Sequence, residues 1–321
     1  VLSGEYQPGE FSSHVVTVTA PIQAVTIDGV SIRDGHADAS ANPGVGAESG
    51  GGLLCMDSCH LHINNVRFVD NSAALNGGAV AILGTGDVMI SNTEFHDNEA
   101  GQDGGAVYMQ KHSIYSSTAQ LANVTAAGNK AVRGGVIASR LLENTENDLV
   151  LFVGNSTFHD NAATDTGGAV ANLADQYSEY GAEIAMTLSS VTITGNKAIF
   201  GGGAIYNKNY HQQSGNIPSP VTTVIDNSIL WDNTSLNGAP GSANWVIRND
   251  GAGTGTNISW SILQHGCDGN TCSNLSLLDP MLGPLGRHRS PTQVRVPAVG
   301  SPAVDNGAAV CSLEDQRGVP R

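Results

Sequence analysis

A degenerate internal repeat constrains this chain more than any other feature of its sequence. Each copy places an Asn five or six residues before a pair of glycines, as in Phe68-Val-Asp-Asn71 followed by Gly77-Gly-Ala-Val80. A unit of ~30 residues made of short strands cannot bury an apolar face by itself, whereas stacked units bury a continuous core. The repeat asparagines follow one another at intervals of 27, 31, 32 and 35 residues, and they are Asn71, Asn98, Asn129, Asn161 and Asn196.

The turn residues of the repeat predict how each copy folds. Asn tolerates left-handed backbone and hydrogen-bonds its own main chain in turns, and a glycine pair permits positive φ and close backbone approach at a corner. We therefore predict an all-β fold, a right-handed parallel β-helix of roughly eight coils, with two or three short strands per coil and Asn ladders through the turns. A β-propeller is the main alternative, but its blades are ~40 to 50 residues long. Variation by insertion between the repeats favours the solenoid.

The repeat pattern also sets the expected boundaries. Residues 1–272 are assigned to the β-helix, with Ala and Gly filling a narrow interior. From Leu277 the sequence reads Leu-Leu-Asp-Pro-Met-Leu-Gly-Pro and proline becomes frequent. Because proline suits a sheet edge better than a central strand, residues 273–321 are interpreted as a C-terminal cap of the same domain, a short helix or loop over the last coil.

Charge and composition exclude several classes of protein. Asp and Glu number 29 against 14 Lys and Arg, a net charge of −15, which disfavours nucleic acid because its binding needs cations on the phosphates. No stretch approaches the ~18 to 20 apolar residues of a membrane span, so no membrane insertion by this chain is expected. The chain starts at Val1 without Met and shows no signal peptide. We interpret it as a mature or trimmed product, so the missing leader does not argue against secretion.

The five cysteines fit an oxidising compartment. Cys55 and Cys59 lie close in sequence, as do Cys267 and Cys272, and in a secreted protein such pairs are expected to form disulfides. Neither spacing is the two-residue gap of a zinc knuckle. Two interpretations of Cys311 stay open: it is a buried thiol, or it pairs with a cysteine in a segment that is not present here.

Polar side chains gather in the variable segments that follow each glycine-pair strand. Positions two and four after Ala79 and its equivalents share one face of the strand, which turns Tyr108, Arg140, Tyr206 and Lys208 outward. Tyrosines beside acids and amides are typical of a carbohydrate-binding groove, and ordinary polar loops are the alternative. The predicted ligand-binding residues are Tyr108, Tyr115, Tyr177, Tyr180 and Tyr210.

Two further patterns bear on metals. His96 and His159 occupy the same repeat position two coils apart, ~10 Å at the strand spacing, which is too far to share one ion. An Asp recurs beside them, and we interpret it as a turn residue, with a Ca²⁺ site as the alternative because calcium prefers carboxylate oxygens. No metal site and no cofactor are assigned. The recurring aspartates are Asp70, Asp97, Asp160 and Asp232.

The recurring Phe-x-x-Asn and Gly-Gly-Ala-Val/Ile motifs resemble the repeat of the chlamydial polymorphic outer membrane proteins. They also resemble bacterial secreted right-handed β-helix proteins. Residues 278–285 (Leu-Asp-Pro-Met-Leu-Gly-Pro-Leu), 300–305 (Gly-Ser-Pro-Ala-Val-Asp) and 315–320 (Asp-Gln-Arg-Gly-Val-Pro) resemble the tail of bacterial surface proteins of the choice-of-anchor Q type. These resemblances imply a secreted or cell-surface location in a bacterium.

Two functions are carried forward from the sequence. The first is an adhesin-like module that recognises a polysaccharide, a cell-surface glycan or a host surface through its lateral loops. The second is a polysaccharide lyase or glycoside hydrolase, which fold analogy suggests. A lyase needs a base and a partner for the uronate carboxylate, and a hydrolase needs two carboxylates ~5 to 9 Å apart. The candidate catalytic residues are Arg140, Lys208, Tyr206, His211, Glu146 and Glu179.

Overall fold

The protein is a parallel β-helix in which each coil contributes one strand to each of four sheets. The computed structural model describes residues 1–7, 9–19, 24–38, 46–111, 117–142, 147–175, 182–210, 219–237, 246–267, 270–308 and 314–320, and these residues contain no α-helix. We name the four sheets A, B, C and D in the order in which each coil visits them. The shortest, sheet B, has seven strands, so the helix has about seven complete turns, one fewer than expected.

Sheets A and B lie on consecutive sides of the coil, and their strands are short. The nine strands of sheet A are Leu2–Ser3, Ser31–Arg33, Arg67–Val69, Glu94–His96, Thr125–Ala127, Thr157–His159, Thr192–Thr194, Ile229–Trp231 and Ile262–Leu263. The seven strands of sheet B are His36–Ala37, Ser72–Ala73, Glu99–Ala100, Lys130–Arg133, Ala162–Thr166, Lys197–Ala198 and Thr234–Ser235.

Sheets C and D complete each coil with longer strands. The eight strands of sheet C are Val16–Thr19, Leu53–Ser58, Val80–Thr85, Val107–Lys111, Ile137–Leu141, Val170–Ala174, Ile205–Asn209 and Ile247–Asp250. The nine strands of sheet D are Val25–Asp28, Leu61–Asn64, Asp87–Ser91, Ser117–Ala122, Leu149–Gly154, Ile184–Ser189, Val221–Asp226, Thr254–Ser259 and Thr271–Ser273. Each coil thus has four strands, more than expected, because segments of two or three residues are too short to show an alternating pattern.

The predicted Asn ladder is confirmed at the corner between sheets A and B. From Asn71 to Asn233, each side-chain amide donates to the Oδ1 atom of the Asn one coil further on, over 2.9 to 3.0 Å. That Oδ1 atom also accepts the backbone N–H of the preceding Asn, as Asn129 does from Asn98 at 3.0 Å. The ladder therefore satisfies buried backbone groups that the turn removes from the sheets.

The two glycines of each pair have different roles at the corner between sheets B and C. The first has positive φ at every level, for example 68° at Gly104 and 66° at Gly134, a conformation that glycine adopts without strain. The second approaches the neighbouring coil, since a Cβ on Gly105 would lie 2.4 Å from the carbonyl oxygen of Gly135. Both predicted reasons for the pair, the positive φ and the close approach, are confirmed.

The interior differs from the expectation of small residues. Columns of Val, Leu, Ile and Phe fill it, and Phe68 stacks on Phe95 with ring centroids 5.1 Å apart. The glycines sit at the corners, because the strands leave a core wide enough for large apolar side chains. The predicted disulfides Cys55–Cys59 and Cys267–Cys272 are present, and Cys311 lies outside the described residues.

The C-terminal segment lies mostly along the side of the helix. Cys272 and Leu275 pack against the core at the last coil, as a cap would. Beyond them the chain forms an antiparallel hairpin, Leu282–Gly286 with Val294–Pro297, and runs back across sheet A. We call residues 281–308 and 314–320 the C-terminal strap. An N-terminal hairpin pairs Glu5–Gln7 with Glu10–Phe11.

Candidate functional site

Four successive coils of this β-helix have long connections at the corner between sheets C and D. The connection from each sheet D strand to the next sheet A strand has two residues in all the coils from Asp87 to Leu263. The connections after the sheet C strands ending at Lys111, Leu141, Ala174 and Asn209 have 5, 7, 9 and 11 residues. Insertions at one corner of a solenoid often mark its binding face, so the outer face of sheet C beside this corner is the candidate site.

The predicted outward orientation of four side chains is confirmed. The strand register places Tyr108, Ala138, Ala171, Tyr206 and Arg248 in one outer row of sheet C. The next outer row contains Gln110, Arg140, Leu173, Lys208 and Asp250. We call these two rows, with Asp103, Arg133, Asp175 and Tyr210 that contact them, the polar face.

Asp103 organises one half of the polar face. Its carboxylate is fully buried and accepts two hydrogen bonds from Arg133, Nε to Oδ1 at 2.7 Å and Nη2 to Oδ2 at 3.0 Å. Arg140 approaches the same Oδ2 atom at 3.4 Å and donates from Nε to Asp175 at 2.6 Å. Arg133 also donates to the Tyr210 hydroxyl at 3.0 Å. Two arginines of one coil thus share the buried carboxylate of the preceding coil.

Asp250 organises the other half of the polar face. Its Oδ2 atom lies 2.9 Å from Lys208 Nζ and 3.3 Å from Arg248 Nη2, and it accepts a hydrogen bond from the Tyr206 hydroxyl at 3.1 Å. The Lys208 ammonium also lies 5.3 Å from the centre of the Tyr210 ring, within cation–π range. Tyr210 therefore connects the two halves.

Burial and ion pairing set the ionisation of the described groups of the polar face. Burial raises the pKa of both Tyr108 and Tyr206, so neither hydroxyl is a ready proton acceptor. Burial alone would raise the pKa of Asp250, but its hydrogen bond with Lys208 is among the contacts that lower it. Burial raises the pKa of Asp103 despite the two arginines. Every carboxylate of the polar face is already paired with a cation.

Exposure separates the predicted ligand-binding residues. Tyr108 is only 1% exposed and packs with Ala138, Ala171 and Leu173 in an apolar cluster on the outside of the sheet. It therefore supports the face from beneath, because its side chain is excluded from solvent. Tyr210 is partly exposed. The other predicted residues, which lie outside the described part of the chain, are Tyr115, Tyr177, Tyr180, His211, Glu146 and Glu179.

Sequence reasoning missed the charged partners of these residues. Asp103 and Arg133 each directly precede the glycine pair of their own repeat, so an alignment of the repeats already places opposite charges one coil apart. Arg248 and Asp250 continue the rows of Tyr206 and Lys208. They were missed because no glycine pair marks their strand.

The histidines and the recurring aspartates occupy equivalent positions in different coils, and these positions explain their spacing and backbone conformation. Ala127 lies between His96 and His159 in the register of sheet A, as the two-coil spacing predicted. Asp70, Asp97, Asp160 and Asp232 have φ between 53° and 56°, the left-handed conformation that Asp tolerates in turns. In the described ranges, no three His, Cys, Asp or Glu side chains lie close enough to hold a metal ion. The calcium alternative stays a prediction.

The strap is fixed to sheet A by an ion cluster around Glu94. Arg287 of the strap donates to Glu94 Oε2 at 2.8 Å, and the Gln293 backbone N–H donates to Oε1 at 3.2 Å. Arg67 also contacts this carboxylate, at 3.0 Å. Further along, Gln316 accepts a hydrogen bond from Thr157 Oγ1 at 2.7 Å. The strap therefore docks through polar contacts spread over several coils.

Acidification is expected to loosen the strap. Burial alone would raise the pKa of Glu94, but contacts with His96, Arg287 and Arg67 lower it. Because its pKa is lowered in the docked state, the ionised Glu94 carboxylate stabilises docking at pH values above the ordinary pKa of Glu. This stabilisation is lost as the pH falls through the lowered pKa, between about pH 5 and pH 3. Hydrogen exchange of strap amides should therefore accelerate in that window. Glu94→Gln should remove most of this pH dependence, and unchanged dependence in that variant would contradict the assignment.

Comparison with known proteins finds a family model that matches one copy of the repeat. A family model described as the Chlamydia polymorphic membrane protein repeat matches residues 190–208, which include Asn196 and the glycine pair at 202–203. No curated protein and no solved structure matches the chain. Within the described residues, no helix has the length and apolar character to cross a membrane. The chain is a β-helix protein with a repeat similar to that of the polymorphic membrane proteins, and it fits a bacterial surface module.

Proposed function

We propose that this protein is a secreted or surface-attached, adhesin-like module that binds glycans at the polar face of sheet C. The stepwise growth of the connections beside this face, from 5 to 11 residues, carries the proposal. In a β-helix that served only as a structural rod, we would not expect four successive connections to be long at one corner while another corner keeps two-residue turns. The choice-of-anchor type of tail proposed from the sequence supports attachment to a cell surface.

The chemistry of the polar face suits a hydroxyl-rich ligand. Lys208, Arg248 and Asp250 are 17 to 32% exposed and are held in place by their mutual contacts. Such fixed donors and acceptors bind sugar hydroxyls without the loss of side-chain entropy that free surface residues incur on binding. The net charge of −15 disfavours polyanionic glycans, so neutral or cationic glycans are the expected class.

A glycan array followed by titration calorimetry tests this proposal. We expect the double variant Lys208→Ala/Arg248→Ala to bind the best array ligand at least about tenfold more weakly. Gln120→Ala is the matched control, because Gln120 is an exposed outward residue of sheet D, away from the polar face. Equal binding by the double variant and the wild type would refute the assignment of the site.

Turnover assays separate this function from the enzymatic alternative. Alginate, pectate, glycosaminoglycans and neutral glycans are incubated with the protein, and unsaturated or reducing ends are measured. Release of such ends that is abolished by Arg140→Ala or Lys208→Ala would replace the adhesin proposal with a lyase or hydrolase. Binding without turnover would support the binding module.

A further inference from the structure

A second concave site lies at the corner between sheets D and A, away from the polar face. The backbone at this corner is left-handed at nine successive levels, with φ between 48° and 69°. Eight of the nine residues are Asn, Gly or Ser. The ninth is Trp260, with φ of 48°. The series is Gly29, Asn65, Asn92, Asn123, Asn155, Ser190, Asn227, Trp260 and Asn274.

Trp260 is a poor residue for this position. A bulky side chain in the left-handed region is a genuine outlier, whereas Asn adopts the same conformation readily. The packing of the core does not require the indole, since its side chain is exposed, at 42%. A strained residue whose side chain faces solvent points to a function outside the fold itself.

The position of the Trp260 indole is defined by the strap, which passes over this corner of the helix. At two other levels of this corner, the Asn side chain holds the strap: Asn155 donates to the Glu314 carbonyl at 3.1 Å, and Asn227 accepts from the Ala308 N–H at 2.7 Å. At the next level, Trp260 instead lines a cleft of about 860 Å³ between the strap and the helix. Ligand pockets typically have volumes of ~300 to 1,000 Å³.

The remaining lining limits the chemistry of a ligand. Pro297, Pro302 and Val304 of the strap contribute apolar surface to the cleft, and Asn274 and Asp305 contribute polar groups. The planar face of an indole packs well on the C–H face of a pyranose ring, while hydroxyls of the sugar bind amides and carboxylates.

The charges of the cleft select against an anionic sugar. Its two arginines are occupied: Arg295 donates to Thr194 Oγ1 and to the carbonyl oxygens of Gly283 and Leu282, and Arg317 pairs with Asp315. Within the described lining residues, no other cation is present to bind a sugar carboxylate or sulfate. We therefore propose that this cleft binds a neutral pyranose unit stacked on Trp260, as a carbohydrate subsite separate from the polar face.

Replacement of Trp260 by the residue typical of its series tests this site. Wild-type protein and Trp260→Asn are titrated with neutral oligosaccharides of glucose, galactose, mannose and N-acetylglucosamine, using calorimetry and tryptophan fluorescence. We expect at least about a tenfold loss of affinity for the best ligand. We also expect a melting temperature at least as high as that of the wild type, because Asn relieves the backbone strain.

Matched variants separate binding in this cleft from binding at the polar face and from the loss of any exposed aromatic side chain. Phe152→Asn removes an aromatic side chain of similar exposure, 45%, from sheet D and should leave binding unchanged. The comparison of wild type with Trp260→Asn is repeated in the Lys208→Ala/Arg248→Ala background, in which the polar face no longer contributes, so that failure of the polar face and failure of the cleft are separable. Unchanged affinity in Trp260→Asn, a lower melting temperature, or binding of a proline-rich peptide in place of every sugar would overturn the proposal.

Discussion

Replacing Asn129 with alanine is expected to lower the free energy of unfolding by about 3 to 5 kcal/mol, because buried polar groups left without partners each cost about 1 to 3 kcal/mol. The Asn129 amide donates to the Phe95 carbonyl at 3.0 Å and to Asn161 Oδ1 at 2.9 Å. Its Oδ1 atom accepts from both the backbone and the side-chain nitrogen of Asn98, at 3.0 and 2.9 Å. Urea denaturation monitored by circular dichroism measures the change.

A control for this variant exists at another turn of the same helix. Asn65 is exposed and has φ of 53°, so Asn65→Gly keeps the left-handed backbone and should change stability by no more than about 0.5 kcal/mol. If Asn129→Ala were equally mild, the buried ladder would not be the structural element that the geometry indicates.

Replacing Asp103 with alanine is expected to destabilise the fold by about 3 to 5 kcal/mol, the range observed when one partner of a buried ion pair is removed. The substitution leaves the Arg133 guanidinium, 19% exposed, without its bidentate carboxylate, and it also removes a contact of Arg140. Thermal and urea denaturation measure the effect.

Two companion variants define the cause. Adding Arg133→Met to Asp103→Ala should recover part of the lost stability, because the uncompensated charge is then absent. Arg33→Ala breaks an ion pair with Asp34 in which the arginine is 49% exposed, and no measurable change is expected. Absence of any recovery in the double variant would show that Asp103 acts through packing instead of charge.

The elements that the sequence predicts well are those that repeat. Asn71 and its equivalents, the glycine pairs and the outward rows of sheet C all bond or pack against the same position one coil away. A contact between equivalent positions appears in the sequence as periodicity, so the repeat alone specified the coil, the ladder and the face that contains Tyr206 and Lys208. The two disulfides were predicted because their partners are close in sequence.

The elements that the sequence did not predict depend on contacts that do not recur from coil to coil. The strap joins Arg287 to Glu94 and Gln316 to Thr157 across 193 and 159 residues, and no repeated pattern marks either pair. Tyr108 shows the same limit, since the repeat predicted its outward orientation correctly but could not show that its side chain is buried.

The sequence by itself determined the architecture, because stacking identical turns is a local problem that Asn and Gly solve at every level in the same way. Only the tertiary structure decided which outer surfaces remain accessible. The path of the strap across sheet A and the exposure of Trp260 in its cleft both depend on contacts between distant parts of the chain. Their energies come from packing and desolvation in three dimensions, which leave no periodic trace in the sequence.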